Sequence, residues 1–220
     1  MKIQTLLLSI ALVLFSGLSL VRADSVFIDA GPSASLDGFL GGNYVAGTEF
    51  SITASLQFNA LGYLDAHGDG LSGDHQVGLW EVRTQTLIAQ ATVNSSSTQL
   101  LSAQGTGVWY LQSVGSSITL SAGTYRVAGI TGNDSDADAL SNDKIGSLGM
   151  TFSSGYVRTD YPNGGFAFPN LTYGSQAIRA TLGNLDSKPT SVPDSGATLA
   201  LLGLGVLGLS FAGRILRRNS

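Results

Sequence analysis

The stretch "EFSITASLQF", Glu49 to Phe58, alternates without a break. Phe50, Ile52, Ala54, Leu56 and Phe58 fall on one side, and Glu49, Ser51, Thr53, Ser55 and Gln57 on the other. A period of two is that of a β-strand with one buried face, because successive side chains leave a pleated backbone in opposite directions. Further candidates on the C-terminal side are "QVGLWEV", "TLIAQATV", "GVWYLQSV", "TYRVAGI", "KIGSLGMTF", "YVRT" and "AIRATL". All are short, rich in Val, Ile, Thr and aromatic residues, and bounded by Gly, Asn, Asp and Ser clusters. No segment before Ala197 keeps a 3.6-residue period. The pattern predicts an all-β fold for residues 24–186, an antiparallel β-sandwich of jelly-roll kind. About 160 residues is enough for two packed sheets around one core. Trp80, Trp109, Tyr125 and Phe152 are the expected core anchors.

Both ends of the chain differ from this middle. Residues 1–23 read as a secretory signal: Lys2 is the basic start, "LLLSIALVLFSGLSL" (Leu6 to Leu20) the apolar core, and Val21-Arg22-Ala23 the cleavage site, with the cut after Ala23. At the other end Ala197 to Gly213 is uncharged, and as a helix it would reach roughly 26 Å at 1.5 Å per residue. That is the short limit for a hydrocarbon core of about 30 Å. Six Leu favour insertion, while Gly203, Gly205, Gly208 and Gly213 weaken the helix. Arg214, Arg217 and Arg218 follow as a stop-transfer cluster, so residues 214–220 read as a cytoplasmic tail and the sandwich stays outside. Residues 187–196, "SKPTSVPDSG", form a linker with two prolines and no apolar periodicity.

Composition narrows the function. Charged residues make up 12% of the 220, about half the usual share. Cysteine is absent, which removes disulfides, thiolate metal sites and cysteine nucleophiles. The net charge of −4 is uneven: all fifteen acids lie from Asp24 to Asp194, against six bases in that stretch, a difference of −9. Such a domain repels nucleic acid and favours divalent cations. No G-x-S-x-G, H-E-x-x-H or phosphate loop is present, so no enzyme activity is expected.

The tail then shows a recognisable order. "VPDSG" (Val192, Pro193, Asp194, Ser195, Gly196), a leucine/glycine span and a terminal arginine cluster together resemble the PEP-CTERM class of sorting signals, and within it the VPDSG variety. A GPI signal differs in lacking the basic end and having a longer polar spacer. The resemblance implies handling by an exosortase, a membrane-embedded cysteine transpeptidase-like enzyme of some Gram-negative bacteria that is coupled to production of extracellular polysaccharide. It implies that the five residues are the recognition site and the span a transient anchor in the inner membrane. Pro193 keeps the residue before it extended, and Asp194 and Gly196 add turn character. A second resemblance runs from about Phe50 to Ile130, on "LGYLDAHGDGLSGDHQVGLWE", "TLIAQATV" and "LSAGTYRVAGI". This part is similar to a β-sandwich domain of uncharacterised function that recurs in bacterial surface proteins, and it implies fold and surface context without chemistry.

Three groups in the middle domain carry candidate chemistry. Asp65, His67, Asp69, Asp74 and His75 lie within eleven residues. They can ligate calcium through the carboxylates, or zinc with the histidines, or simply form a polar turn with Gly68, Gly70 and Gly73. His75 can instead bond across the sheet. Asp134, Asp136 and Asp138 have the first three spacings of a calcium loop, with Asn133, Asn142 and Asp143 nearby. Ala139 and Ile145 stand where an EF-hand needs Gly and Glu, so the segment is no EF-hand and reads first as a solvated acidic loop, with calcium collection the other reading. Tyr156, Tyr161, Phe166, Phe168 and Tyr173 lie in a Gly/Pro/Asn-rich stretch with Asp160, Asn163 and Asn170. Such rings either stack on sugars or pin a long loop to the sandwich. The expectation is an exported protein of the cell surface or extracellular matrix, structural or adhesive, with exosortase, the inner membrane and extracellular polysaccharide as partners. Calcium is the one cofactor its acids suit. A calcium-dependent carbohydrate-binding module, a hydrolase of matrix polymer and a permanently anchored surface protein are the alternatives.

Overall fold

The computed structural model describes residues 24–31, 35–38, 44–102, 107–130, 138–140, 144–147, 149–160, 166–174 and 177–186, with 35–38, 138–140, 160 and 177 described by backbone alone. The predicted signal, linker, span and basic tail lie outside these residues, as do Asn133, Asp134, Asp136, Asn142, Asp143, Tyr161 and Asn163. The chain divides into two compact units, Met1–Leu185 and Asp186–Ser220. The first unit holds every described strand.

Its strands are β1 (Ser25–Val26), β2 (Ile28–Ala30), β3 (Ser35–Gly38), β4 (Tyr44–Ile52), β5 (Leu56–Asp65), β6 (His75–Glu81), β7 (Thr86–Val93), β8 (Thr98–Leu101), β9 (Val108–Leu120), β10 (Gly123–Ile130), β11 (Asp138–Leu140), β12 (Lys144–Gly146), β13 (Thr151–Asp160), β14 (Leu171–Tyr173), β15 (Ala177–Ile178) and β16 (Ala180–Asn184). One sheet has the order β1-β16-β5-β9-β8, the other β14-β13-β4-β10-β6-β7. Small sheets β15-β11-β3 and β12-β2 complete the set, and every pairing is antiparallel. The described residues contain no helix. The chain passes back and forth between β1-β16-β5-β9 and β4-β10-β6-β7, which is jelly-roll wiring, with β8 added at an edge and β11 to β15 inserted before the last strand.

The stretch that announced the fold is not one strand. β4 ends at Ile52 in the six-stranded sheet, Thr53 to Ser55 turn, and β5 starts at Leu56 in the other sheet. The alternation survives the turn because both sheets aim their inner faces at the same core. Phe50 and Ile52 arrive from one side, Leu56 and Phe58 from the other, and all four are buried. Ala54, expected among them, sits on the turn and is exposed. "KIGSLGMTF" likewise splits into β12, paired with β2, and the start of β13. "AIRATL" is broken at Arg179, which is buried with its guanidinium 5.8 Å from the Tyr63 ring and its carbonyl accepting the Leu64 N–H.

The main core joins Phe50, Val77, Leu79, Tyr125 and Val127 of one sheet to Phe58, Leu61, Tyr63, Tyr110 and Leu182 of the other. Of the four expected anchors, Tyr125 lies here and Phe152 packs against it partly buried. The tryptophans serve the outer faces. Trp109 joins Leu64, Ala30 and Ile178, on the side of the sheet away from Tyr63 and Tyr110. Trp80 joins Val45 and Ala128, with Phe166 and Phe168 laid over them.

The two ends of the sandwich are unlike. At one, the turns 53–55, 82–85 and 121–122 are tight, and both chain ends leave there: Ser25 pairs with Asn184, and the Leu185 backbone is held by the Asn59 amide. At the other lie the 66–74 loop, the paired ends of β8 and β9 at Leu101 and Val108, and the ends of β10 at Ile130 and β13 at Asp160. These are called the termini end and the loop end.

Candidate functional site

Of the candidate groups, the one from Asp65 to His75 lies at the loop end. Asp65 closes β5, buried to 1% exposure, and its carboxylate is spent on the backbone. Oδ1 accepts the N–H groups of His67 (3.2 Å) and Gly68 (2.8 Å), and Oδ2 accepts that of Gly70 (2.8 Å). Gly68 and Gly70 have φ of 70° and 104°, angles that glycine takes without strain, and this lets the loop curl around the carboxylate. His67, Asp69 and Asp74 are exposed. His75 is 1% exposed; its ring stacks on Tyr63 (centroids 3.8 Å, 13°), and Nδ1 lies 3.2 Å from the Ile130 carbonyl on the neighbouring strand. Among the described residues, no three His, Asp or Glu side chains stand together as a metal-holding group. Asp138 is placed by backbone in β11, opposite Gly38.

The aromatic stretch is pinned to the sandwich where it is described. Phe166 packs on Trp80 (5.0 Å, 46°), in a slot that Gly78 leaves open: a Cβ there would come within 2.6 Å of both rings. Arg126 holds the next residues. It pairs with Glu49 (2.7 Å), lies 4.9 Å from the Phe168 ring and donates to the Pro169 carbonyl. Residues 166–170 therefore form a strap across the outer face of the six-stranded sheet. Tyr156 is 4% exposed and stacks on Tyr173 (5.1 Å, 17°), which is 37% exposed on the edge strand β14. The Arg158 guanidinium lies 3.3 Å from the Tyr44 ring and 5.2 Å from that of Tyr173. This stack clamps the edge strand to β13 and β4. Asn170 is exposed beside it.

Sequence reading missed two buried polar groups that join distant parts of the chain. Asp29 is buried, and its Oδ1 accepts from Trp109 Nε1 (2.8 Å), Ser102 Oγ (2.7 Å) and the Ala30 N–H (2.8 Å). A lone acid inside the apolar "FIDA" was the available signal, since a buried carboxylate must find donors. Arg126, opposite Glu49 on paired strands, gave a weaker one.

Comparison with known proteins bears on the tail alone. Residues 191–216 match the VPDSG-CTERM motif, the pattern of a PEP-CTERM-type sorting tail. No curated protein and no solved structure matches the chain. The chain thus carries, behind an all-β sandwich, a C-terminal sorting signal of the kind that exported bacterial surface proteins present to an exosortase-type enzyme.

Proposed function

We propose that this is a non-catalytic surface protein, held in the inner membrane by its tail and then released by an exosortase-type enzyme to a structural or adhesive place in the extracellular matrix. The tail match carries the reading. The physics of the tail supports it: Ala197 to Gly213 parks the chain in the bilayer, Arg214, Arg217 and Arg218 set its depth, and Val192 to Gly196 stays extended at the outer surface for recognition. The sandwich adds that its buried polar groups Asp29, Asp65 and His75 are engaged in holding strands and loops, as suits a durable module.

The test reverses the charge of the tail. Replacing Arg214, Arg217 and Arg218 together by Glu removes the stop-transfer signal while leaving "VPDSG" intact. The expected result is loss of membrane retention and at least about a tenfold fall in correctly processed surface protein, as each cation there favours its cytoplasmic place by roughly 1 kcal/mol. Unchanged delivery and unchanged final size would refute the reading.

A further inference from the structure

A sheet edge leaves a row of N–H and C=O groups without strand partners, and soluble proteins blunt it with lysine, proline or brevity. In the five-stranded sheet the edges are β1, two residues long, and β8, four residues long. In the six-stranded sheet they are β14, three residues long, and β7, eight residues long. β14 is also held by the stack of Tyr173 on Tyr156. β7 differs from the rest: among the described strands it has a neighbour, β6, on one side only, and it carries no charge and no proline. Its one blunting device is a bulge at Ile88, where the register with β6 shifts. The regular part of this edge is therefore Ala89 to Val93.

The flank around it is neutral. No charged residue and no proline occurs from Thr84 to Tyr125, the stretch that supplies β7, β8 and β9, although between Asp24 and Asp194 acids outnumber bases by nine. Glu81 and Arg83, 3.5 Å apart, mark one end of the β6–β7 pair, and the exposed Asp74 precedes its other end. Copies of an acidic protein repel each other, and they repel least through an uncharged flank. β7 packs over β9, and β8 borders β9 on the same flank, with Leu101 74% exposed. The edge is also close to symmetric in sequence. Ala89, Ala91 and Val93 are buried, while Gln90 and Thr92 are exposed. Antiparallel pairing of β7 with itself about Ala91 sets Ala89 opposite Val93 and Gln90 opposite Thr92, each twice. Small apolar side chains then meet on the core face, and polar pairs able to hydrogen-bond meet on the outer face.

We propose that two copies of the chain associate through β7, pairing antiparallel about a two-fold axis at Ala91 and joining their six-stranded sheets into one continuous sheet. The contact closes on itself, because the opposite edge of that sheet, β14, offers three residues, and pairing stops at two copies. This association goes beyond the sorting role and does not depend on it.

Charge placement tests it. The full chain is extracted in mild detergent from a Gram-negative host, and its mass is followed by sedimentation up to about 100 μM, the weak end for a small interface. Gln90 and Thr92 are exposed, so both accept charge without entering the core. Gln90→Lys with Thr92→Lys sets lysine against lysine twice across the axis, and Gln90→Lys with Thr92→Glu sets lysine against glutamate twice. The expected result is a dimer of the unsubstituted chain whose dissociation constant rises at least about tenfold in the first variant and returns toward its own value in the second. A chain monomeric over the whole range, polymers larger than two, a dimer indifferent to both variants, or one weakened equally by both would overturn the pairing. The absence of cysteine supplies a second reading. Opposed Cα atoms in an antiparallel pair lie about 4.5–5.5 Å apart, within the span of a disulfide. Gln90→Cys and Thr92→Cys expressed together should give at least about threefold more oxidised dimer than either variant alone or than Leu171→Cys on the β14 edge. Equal yields would overturn the register about Ala91.

Discussion

At the scale of single residues, a few buried polar groups add to the apolar core, with partners that lie far along the chain or curl back onto them. Asp65 shows what they do. Three backbone N–H groups converge on one carboxylate, so Asp65→Ala leaves three donors without their acceptor at a half-buried site. The expected loss is about 2–4 kcal/mol in denaturant unfolding. If the loop worked by holding calcium, that loss would shrink in the presence of a chelator; here it stays the same with and without one. Lys144 makes a second case. Burial beside Phe152 and the Gly155 carbonyl, 3.5 Å from Nζ, lowers its pKa from 10.5 to about 8. Between those values the unfolded chain binds the proton and the folded one does not, so stability rises with pH from about 8 toward 10.5. Tyr125 acts the other way above pH 10: burial, then the charge of Glu81, raises its pKa, so the unfolded chain ionises first. Unfolding free energy should therefore climb by roughly 2 kcal/mol from pH 8 to 10 and then level off. Lys144→Met should flatten the climb; an unaltered slope in that variant would contradict the account. Asp65 was legible in the sequence as a loop residue because Gly68 and Gly70 follow it. That Asp29 would meet Trp109, eighty positions away, was not, since nothing local records a pairing made by the tertiary fold.

At the scale of elements, the strands were largely written in the pattern and their sheets were not. "TLIAQATV" coincides with β7 and "QVGLWEV" is one residue out of step with β6. Yet "EFSITASLQF" hides a change of sheet, because period two reports only that a side faces the core and not which wall of the core it belongs to. The strap is a similar case. In the sequence the rings of Phe166 and Phe168 read as pins for a long loop or as a sugar-stacking face, and the difference is made by Gly78, whose missing side chain admits Phe166 against Trp80. Gly78→Ala should drive that ring out, costing about 1–3 kcal/mol and exposing Trp80. A red shift of tryptophan emission together with the lower midpoint is the expected pair of readings. Lower stability with unshifted emission would mean that the strap had stayed in place and the cost arose elsewhere.

At the scale of the whole molecule, the first and last strands of the sandwich pair with each other, so the sheet closes only after residue 184 has been exported. A tail that held the new chain at the bilayer, as proposed, would give this long-range pairing time, since contacts of high sequence separation form slowly. The tail itself was legible because its three parts are set by membrane physics and chain order, with no need of a fold. The role of the sandwich at the surface was less legible, as no catalytic motif marks it. The account therefore turns on the fate of the last thirty residues, and the mass of the mature protein recovered outside the cell tests that most directly. The account predicts a chain beginning at Asp24 and ending within or beside Val192 to Gly196, with the span and the arginines gone. A surface protein that still carries Arg214, Arg217 and Arg218 would contradict it.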